Sequence, residues 1–402
     1  MSRQRVAVVV TRLQAGAGGV ALRGALALDP AGYQVTIIAG DTDGSGDADG
    51  SGDSLLRRAA GAGLRVIRVP ELVPEIAPAT DARGLRVLTG HMREARYDVV
   101  HTHSAKAGAL GRLAASRAGV PRVVHTFHGF PFHEFQSRPR RAVYVGTERY
   151  LGQFTDMFLA VGTAVAAEAV RRRIAAPSRI RVIDPVIELT EASSSPAARD
   201  AARRQLGVPV GCKAVGTVGR IDYQKAPECF VDAMAAIGRA DVYSVWIGDG
   251  PMRGETEKRA RRRDLGDRFR CLGHRDDVAQ LLPGLDVFAM ASRYEGMPCA
   301  VAEAMTAGVP VVATAVNAVP DLVLPGETGI LVAPGEPRQL AAAVSHLLDM
   351  PGEGARMAAA ARRLIAGRFS AEALASTLAA AYSSAISRSV RPTGALTLAR
   401  PA

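Results

Sequence analysis

SRYEGMPCAVAEAMTAG, residues 292–308, begins as a Gly-Pro turn and becomes an Ala-rich helix. Pro298 suits the first helical turn, because it lacks only an N–H that would have no intrahelical partner there. Gly308 followed by Pro310 marks the stop. The open N–H groups of such a helix start, together with the helix dipole, favour a phosphate anion. Two glutamates flank this start: Glu295 just before the helix, and Glu303 about a turn inside it. Carboxylates so placed can bind hydroxyls on the two sides of a diphosphate, the geometry expected for a nucleotide sugar. The spacing alone is common, and two glutamates on a surface helix usually meet only water. The surrounding residues decide between these readings.

Over 295–314 the run EGMPCAVAEAMTAGVPVVAT resembles the E-x7-E motif of the retaining glycosyltransferases of family 4, which have the GT-B fold. That motif reads roughly E-G-F-P-x-x-x-x-E-A-x-A-x-G-x-P-V-V, so the match extends well beyond two glutamates. The resemblance implies an α/β protein of two Rossmann-like domains, with parallel sheets facing a central cleft.

The rest of the chain is read against that expectation. A length of 402 residues predicts two domains rather than one core. Short Val/Ile-rich runs alternate with amphipathic Ala/Leu/Arg segments, the pattern of β-α units and parallel sheets. Strands are predicted at 6–11, 35–39, 65–69, 99–102, 122–126, 157–161 and 180–183. After a polar Ser/Ala/Pro-rich segment, a second series is predicted at 214–218, 242–247, 268–272, 287–290, 310–313 and 330–332. The expected division is an acceptor-side domain over 1–187, a linker region over 188–210 and a nucleotide-sugar-binding domain over 211–370. A crossover helix and tail occupy 371–402, the helix near 371–387 resembling those that return to the first domain in family 4.

Composition narrows the class further. Hydrophobic residues make up 48% of the chain, yet no run of about 18 apolar residues occurs, so no transmembrane helix is expected. The opening MSRQRVAVVVT reads as a first buried strand rather than a secretory signal. Cys212, Cys229, Cys271 and Cys299 form no C-x-x-C pair and read as reduced thiols of a cytoplasmic protein. The formal charge of +11 includes clusters at 171–173 and in KRARRR, 258–263. No nucleic-acid motif accompanies them, and they read as solvated helix faces, or as attraction to anionic donors or an anionic membrane. The acidic run DTDGSGDADGSGDS, 41–54, is read as a mobile loop. Its twelfth position is Gly52 where a calcium loop needs a bidentate glutamate, and its Asp41-Thr42-Asp43 lies in an early β-α unit of the first domain.

VGRIDYQK, 218–225, opens the first β-α connection of the second series. A leaving diphosphate needs fixed positive charge, which the guanidinium of Arg220 and the ammonium of Lys225 supply without a metal. The segment resembles the family's G-R-x-x-x-x-K-G element, with Ala226 replacing the final glycine. Gly18 and Gly19 follow the first strand and match the family's N-terminal G-G loop, where a glycine turn lets backbone approach phosphate or sugar. Histidines cluster in His101-Thr102-His103 and in HTFHG, 125–129, with His133 beyond. By resemblance, His128 approaches the transferred sugar and the leaving phosphate oxygen. His103 and Lys106 are assigned to the acceptor side, or to structure alone. The resemblance also places Gly248, in a G-x-G-P turn, and Leu272, in an F-x-G segment, against the nucleotide, with Gly296, Met297 and Pro298 on the donor.

Three departures stand out: Met297 for the family's phenylalanine, Asn317-Ala318 for a glycine pair, and Asp184-Pro185-Val186-Ile187-Glu188 at the domain junction. None removes a charged motif residue.

The reading is a retaining transferase that needs no metal and no cofactor, moving a sugar from a UDP- or GDP-sugar to an acceptor. In it, Arg220 and Lys225 meet the developing diphosphate charge, Glu303 grips the ribose, and Glu295 orients the sugar. A small polar acceptor of specialised metabolism is the first expectation, and a lipid-linked acceptor of polysaccharide or glycolipid assembly the alternative. In the second case the basic run 138–144, with Tyr150 beyond, meets anionic headgroups at the inner face of a membrane. Two other classes remain: a metal-dependent hydrolase built on the H-x-H, and a silent nucleotide-sugar-binding protein. The intact set of Glu295, Glu303, Arg220 and Lys225 argues against the last.

Overall fold

The apolar runs form strands because their β-branched residues are covered on both sides. In β1 (Gln4–Val10) every residue from Val6 onward is buried, as a parallel strand with helices on each face requires. The computed structural model describes residues 3–13, 16–41, 51–132, 136–187 and 195–383.

The first half continues with α1 (Ala17–Ala27), β2 (Tyr33–Ala39), α2 (Ser51–Gly61), β3 (Arg65–Arg68), α3 (Pro78–Ala95), β4 (Val99–His103), α4 (Ala105–Ala118), β5 (Arg122–Phe127), α5 (Arg138–Gly152), β6 (Met157–Ala160), α6 (Thr163–Arg171) and β7 (Ile180–Val182). The second comprises α7 (Pro196–Leu206), β8 (Lys213–Val218), α8 (Pro227–Ile237), β9 (Val242–Ile247), α9 (Arg253–Arg262), β10 (Phe269–Cys271), α10 (Val278–Leu281), β11 (Val287–Met290), α11 (Cys299–Thr306), β12 (Val311–Thr314), β13 (Ile330–Val332), α12 (Pro337–Asp349) and α13 (Pro351–Arg368). Finally, α14 (Ala371–Ser383) returns to the first half, where Leu374, Leu378 and Tyr382 join the core beside Val8 and Val124.

Both sheets are parallel and doubly wound, with strand orders β3-β2-β1-β4-β5-β6-β7 and β10-β9-β8-β11-β12-β13. Val8 pairs with Ile37 on one side and His101 on the other, so the direction of winding reverses between β1 and β4. The same reversal occurs between β8 and β11. Crevices beyond the strand ends at such reversals are where open α/β sheets bind ligands.

All the predicted strands are present, with ends shifted by a residue or two. Four local expectations change. The acidic run does not stay a loop to Ser54, since α2 begins at Ser51; its residues 42–50 lie outside the described residues, as do His133 and the tail from 384. Within the expected linker, α7 packs on the second half through Arg199 and Arg203, which hold Asp286; residues 188–194 lie outside the described residues. Pro298 sits at the N-cap of α11 rather than inside its first turn. Gly18 and Gly19 belong to the first turn of α1 and not to the loop before it, where Gly16 alone takes a positive φ of 73°.

The halves meet at several points. The Arg368 guanidinium donates to Asp184 at 2.7 and 3.1 Å, and Ile187 N–H donates to the Phe369 carbonyl at 3.1 Å. The family's junction sequence is thus replaced by an ion pair between the two crossings of the chain. Asp321 of the second half accepts the Thr163 N–H at 2.6 Å, capping α6 of the first. Met297 packs against the cores of both halves.

Candidate active site

The motif residues converge because they sit at the carboxyl ends of the strands flanking the two reversals. The loop after β11 carries Glu295 and the loop after β8 carries Lys225, whose ammonium lies 2.6 Å from the Glu295 carboxylate. Ser292 Oγ donates to the same oxygen at 2.6 Å, and Gln224 Nε2 donates to the other at 3.2 Å. Glu295 is 6% exposed, so these three donors replace the water it has lost. Its N–H donates to Asn317 Oδ1 at 2.8 Å. Asn317, standing where the family has glycine, keeps a left-handed φ of 45°, which asparagine tolerates better than most residues. Arg293 clamps the two loops together, stacking 4.1 Å over the Tyr223 ring and pairing with Glu228.

His128 faces Glu295 from the other half. The two line one cavity of 620 Å³ with Gly129, Phe130, Gln224 and Gly296, a size suited to a small-molecule ligand. Gly296 is pressed against the opposite backbone: a Cβ there would lie 1.9 Å from the His128 carbonyl oxygen. Only glycine permits that approach.

Behind His128 stands a histidine ladder. His103 Nδ1 and His128 Nε2 are hydrogen-bonded at 2.9 Å, and the His101 and His103 rings are 4.2 Å apart. His101 is held on both nitrogens, by Tyr382 Oη at 2.8 Å and Thr126 Oγ1 at 2.7 Å. Burial pushes His128 down to about 4 and, with the charge of His128 adding to it, His101 down to about 3. His103 and His125 are driven well below their ordinary value, again chiefly by burial. The ladder is therefore neutral at pH 7. Both ring nitrogens of His101 and one each of His103, His125 and His128 are hydrogen-bonded, and among the described residues no group of three or more His, Cys, Asp or Glu is disposed to hold a metal. Of the H-x-H pair, His103 contacts His128 directly and His101 is held by Tyr382 and Thr126.

The remaining predicted residues fall into three groups. Arg220 is 74% exposed, bound to Asp222 at 2.8 Å, and free to swing toward an anion. Glu303 is exposed on α11 and Pro298 buried at its start. Just past β9 and β10, Gly248 bridges Gly273 and Leu272 N–H donates to the Trp246 carbonyl at 2.9 Å; a Gly248 Cβ would strike the Gly219 carbonyl at 2.1 Å. Gly18 and Gly19 are buried in α1, a Gly18 Cβ falling 2.6 Å from the Arg12 carbonyl. The Lys106 ammonium lies 2.6 Å from Asp81, and its side chain is 11% exposed. His103 contacts His128 and does not line the cavity. Gln224, Ser292, Arg293 and Asn317 were missed as site residues. The only signal for them was adjacency to Lys225, Glu295 and the substituted glycine pair.

Residues 15–191 match the family described as Glycosyltransferase Family 4, and residues 212–350 that described as Glycosyl transferases group 1. The UDP-Gal:α-D-GlcNAc-diphosphoundecaprenol α-1,3-galactosyltransferase of Escherichia coli is 31% identical over 259 residues, 63% of this chain and 67% of that one. The D-inositol 3-phosphate glycosyltransferase of Thermobispora bispora is 32% identical over 324 residues, 75% and 74% of the two chains. Among solved structures, Anabaena HepE in complex with UDP and glucose superposes with a TM-score of 0.79 at 21% identity, covering 94% of this chain and 98% of its own.

Proposed function

Since the chain belongs to the family 4 glycosyltransferases and has their GT-B fold, we propose that it transfers a hexosyl group from a UDP-sugar with retention of configuration and without a metal. The observation that carries the reading is the Lys225–Glu295 pair, 2.6 Å apart, on one cavity wall with His128 on the other. As the bond from anomeric carbon to phosphate oxygen lengthens, negative charge grows on the diphosphate. Lys225, Arg220 and the start of α11 at Pro298 meet that charge with donors already in place. On donor binding, the sugar hydroxyls take over Glu295, and the Lys225 ammonium turns to the phosphate. Glu303 binds the ribose, with Gly248 and Leu272 beside the base and Gly18 and Gly19 across the cleft. The acceptor hydroxyl attacks the face the phosphate leaves and passes its proton to the departing oxygen. Neutral His128 donates a hydrogen bond to the sugar, and closure of the halves keeps water out.

UDP is preferred to GDP because the E. coli relative's name gives UDP-galactose. For the acceptor, a small polar molecule remains the first assignment. A lipid-linked one is the second, favoured by that relative's name and by Val143 and Tyr150, 68% and 52% exposed on the basic α5. In that case the protein works at the inner face of the membrane, which no helix among the described residues is long and apolar enough to cross.

The test is turnover of a panel of UDP-hexoses with and without EDTA, with NMR of the product's anomeric carbon. Retention and unchanged rates in EDTA are expected. An inverted product, or loss of activity in EDTA, overturns the mechanism.

A further inference from the structure

One wall of the cavity carries charge that the donor chemistry leaves unused. Arg141, on α5, and Arg171 and Arg172, at the end of α6, line the cavity on the side of His128, across the cleft from Lys225. Arg172 donates to Glu168 at 2.8 Å, and Arg171 donates to the same carboxylate through Nε at 2.7 Å. Burial pushes the Glu168 carboxyl up, but the hydrogen bonds from Arg172 and Arg171 win and hold it below its ordinary value, so it is ionised at pH 7. The Arg141 N–H donates to the Ser137 carbonyl at 3.0 Å, but its guanidinium has no hydrogen bond or ion pair among the described residues. Among the described residues that line this wall, three guanidiniums stand against one carboxylate, which Arg171 and Arg172 share, leaving two positive charges. A pair of surface arginines sharing a glutamate would by itself mean nothing. Here they line the same concave space as His128 and Glu295, within which the acceptor must approach.

Arg172 is the more sheltered of the pair, 28% exposed against 66% for Arg171, so an anionic acceptor group gains most from the side of the wall that Arg172 and Arg141 line. A phosphate group at pH 7 carries about −1.5 to −2 and presents several acceptor oxygens to planar guanidinium forks. Phe130 and Phe132 line the same wall and provide apolar surface for the body of the acceptor.

We propose that Arg141, Arg171 and Arg172 form an anion subsite that binds a phosphate or diphosphate carried by the acceptor. The inference rests on the transferase reading above, and it names the class of acceptor: a phosphorylated polyol, or the diphosphate head of a lipid-linked sugar. The subsite holds the acceptor's phosphate while its free hydroxyl points to the sugar between His128 and Glu295.

The experiment uses the full chain saturated with UDP, so that added anions meet a filled donor site. Calorimetric titrations follow with inositol, inositol phosphate, and farnesyl diphosphate in neutral detergent micelles. At least one phosphorylated probe should bind tenfold or more tightly than inositol, with affinity falling as salt rises. Arg141→Gln, and separately the double variant Arg171→Gln/Arg172→Gln, should each weaken that binding tenfold or more, while UDP affinity and the melting temperature report an intact fold. Preference for inositol phosphate assigns a free phosphorylated acceptor; preference for farnesyl diphosphate assigns the lipid source. Equal binding of inositol and both phosphorylated probes, or unchanged binding in both variants, overturns the subsite. If UDP itself fails to bind the wild-type chain, the transferase reading falls first and the subsite with it.

Discussion

Gly296→Ala tests how the site is assembled. The added methyl would lie 1.9 Å from the His128 carbonyl oxygen, where ordinary contact begins at 3.4 Å, so about 1.5 Å must be recovered. Gly296 is not among the glycines of positive φ, so alanine fits its own backbone and the conflict lies wholly between the two halves. The surrounding loops are pinned, one by the Ser292 and Asn317 bonds to Glu295, the other by the His103 bond to His128. The displacement therefore opens the cleft. A misplacement of about 1 Å between reacting groups can cost about 100-fold, and kcat/KM for the variant should fall by about that factor, or ~2.7 kcal/mol of barrier. Neither core is touched, so the melting temperature should move by no more than a few degrees. UDP affinity, set mainly by the second half, should change less than fivefold. Initial rates with a UDP-sugar that the wild type turns over, calorimetry with UDP and a thermal melt separate these outcomes. Wild-type turnover by the variant would refute the claim that the His128–Gly296 contact sets the catalytic distance.

Three further outcomes are expected. Lys225→Met leaves Glu295 buried without its cation and should cost about 3 kcal/mol of stability, the low end of the buried-pair range because Lys225 keeps some solvent contact. It should also weaken UDP binding, while the added Glu295→Gln change recovers stability but not binding; denaturant melts and calorimetry decide. The histidine ladder makes folding acid-sensitive. Unfolded histidines titrate near 6.5, whereas His101 is held down to about 3 and His128 to about 4, so the fold keeps them neutral while the unfolded chain takes up protons. Their stabilisation is complete above pH 6.5 and is lost as pH falls toward those values, His101 alone losing about 2 kcal/mol by pH 5. A melting temperature unchanged between pH 7 and 5 would contradict this. Asp321→Ala removes the cap that α6 receives across the cleft, a loss of about 1 kcal/mol concentrated at the contact between halves. Small-angle scattering should show a wider molecule, and an unaltered profile with unaltered turnover would show that the cap does not hold the halves together.

The strands were legible because burial on both faces demands continuous β-branched and small apolar residues, a pattern that survives without knowledge of neighbours. The Glu295 and Lys225 motifs were legible for a different reason: the residues around them resemble the family's E-x7-E and G-R-x-x-x-x-K-G elements well beyond the charged positions. Their direct pairing was not, since 70 residues separate them and only the order of β8 and β11 in the sheet makes them neighbours. For Lys106 the sequence left two readings open, the acceptor side or structure alone, and its pairing with Asp81 of α3 is a contact no local pattern records.

By itself, then, the sequence determined the secondary elements, the doubly wound class of both halves and the residue types that can hold a diphosphate. The elements follow from local periodicity and turn chemistry over spans of a few to twenty residues, and the site residues from motifs of similar length that resemble the family's. The tertiary structure alone decided which groups share a cavity. It put His103 against His128, set Gly296 against the opposite backbone and gathered Arg141, Arg171 and Arg172 onto one wall. Those relations depend on how two sheets and a returning helix pack, and packing is fixed by the summed burial of many side chains, none of which records in its own identity what will face it.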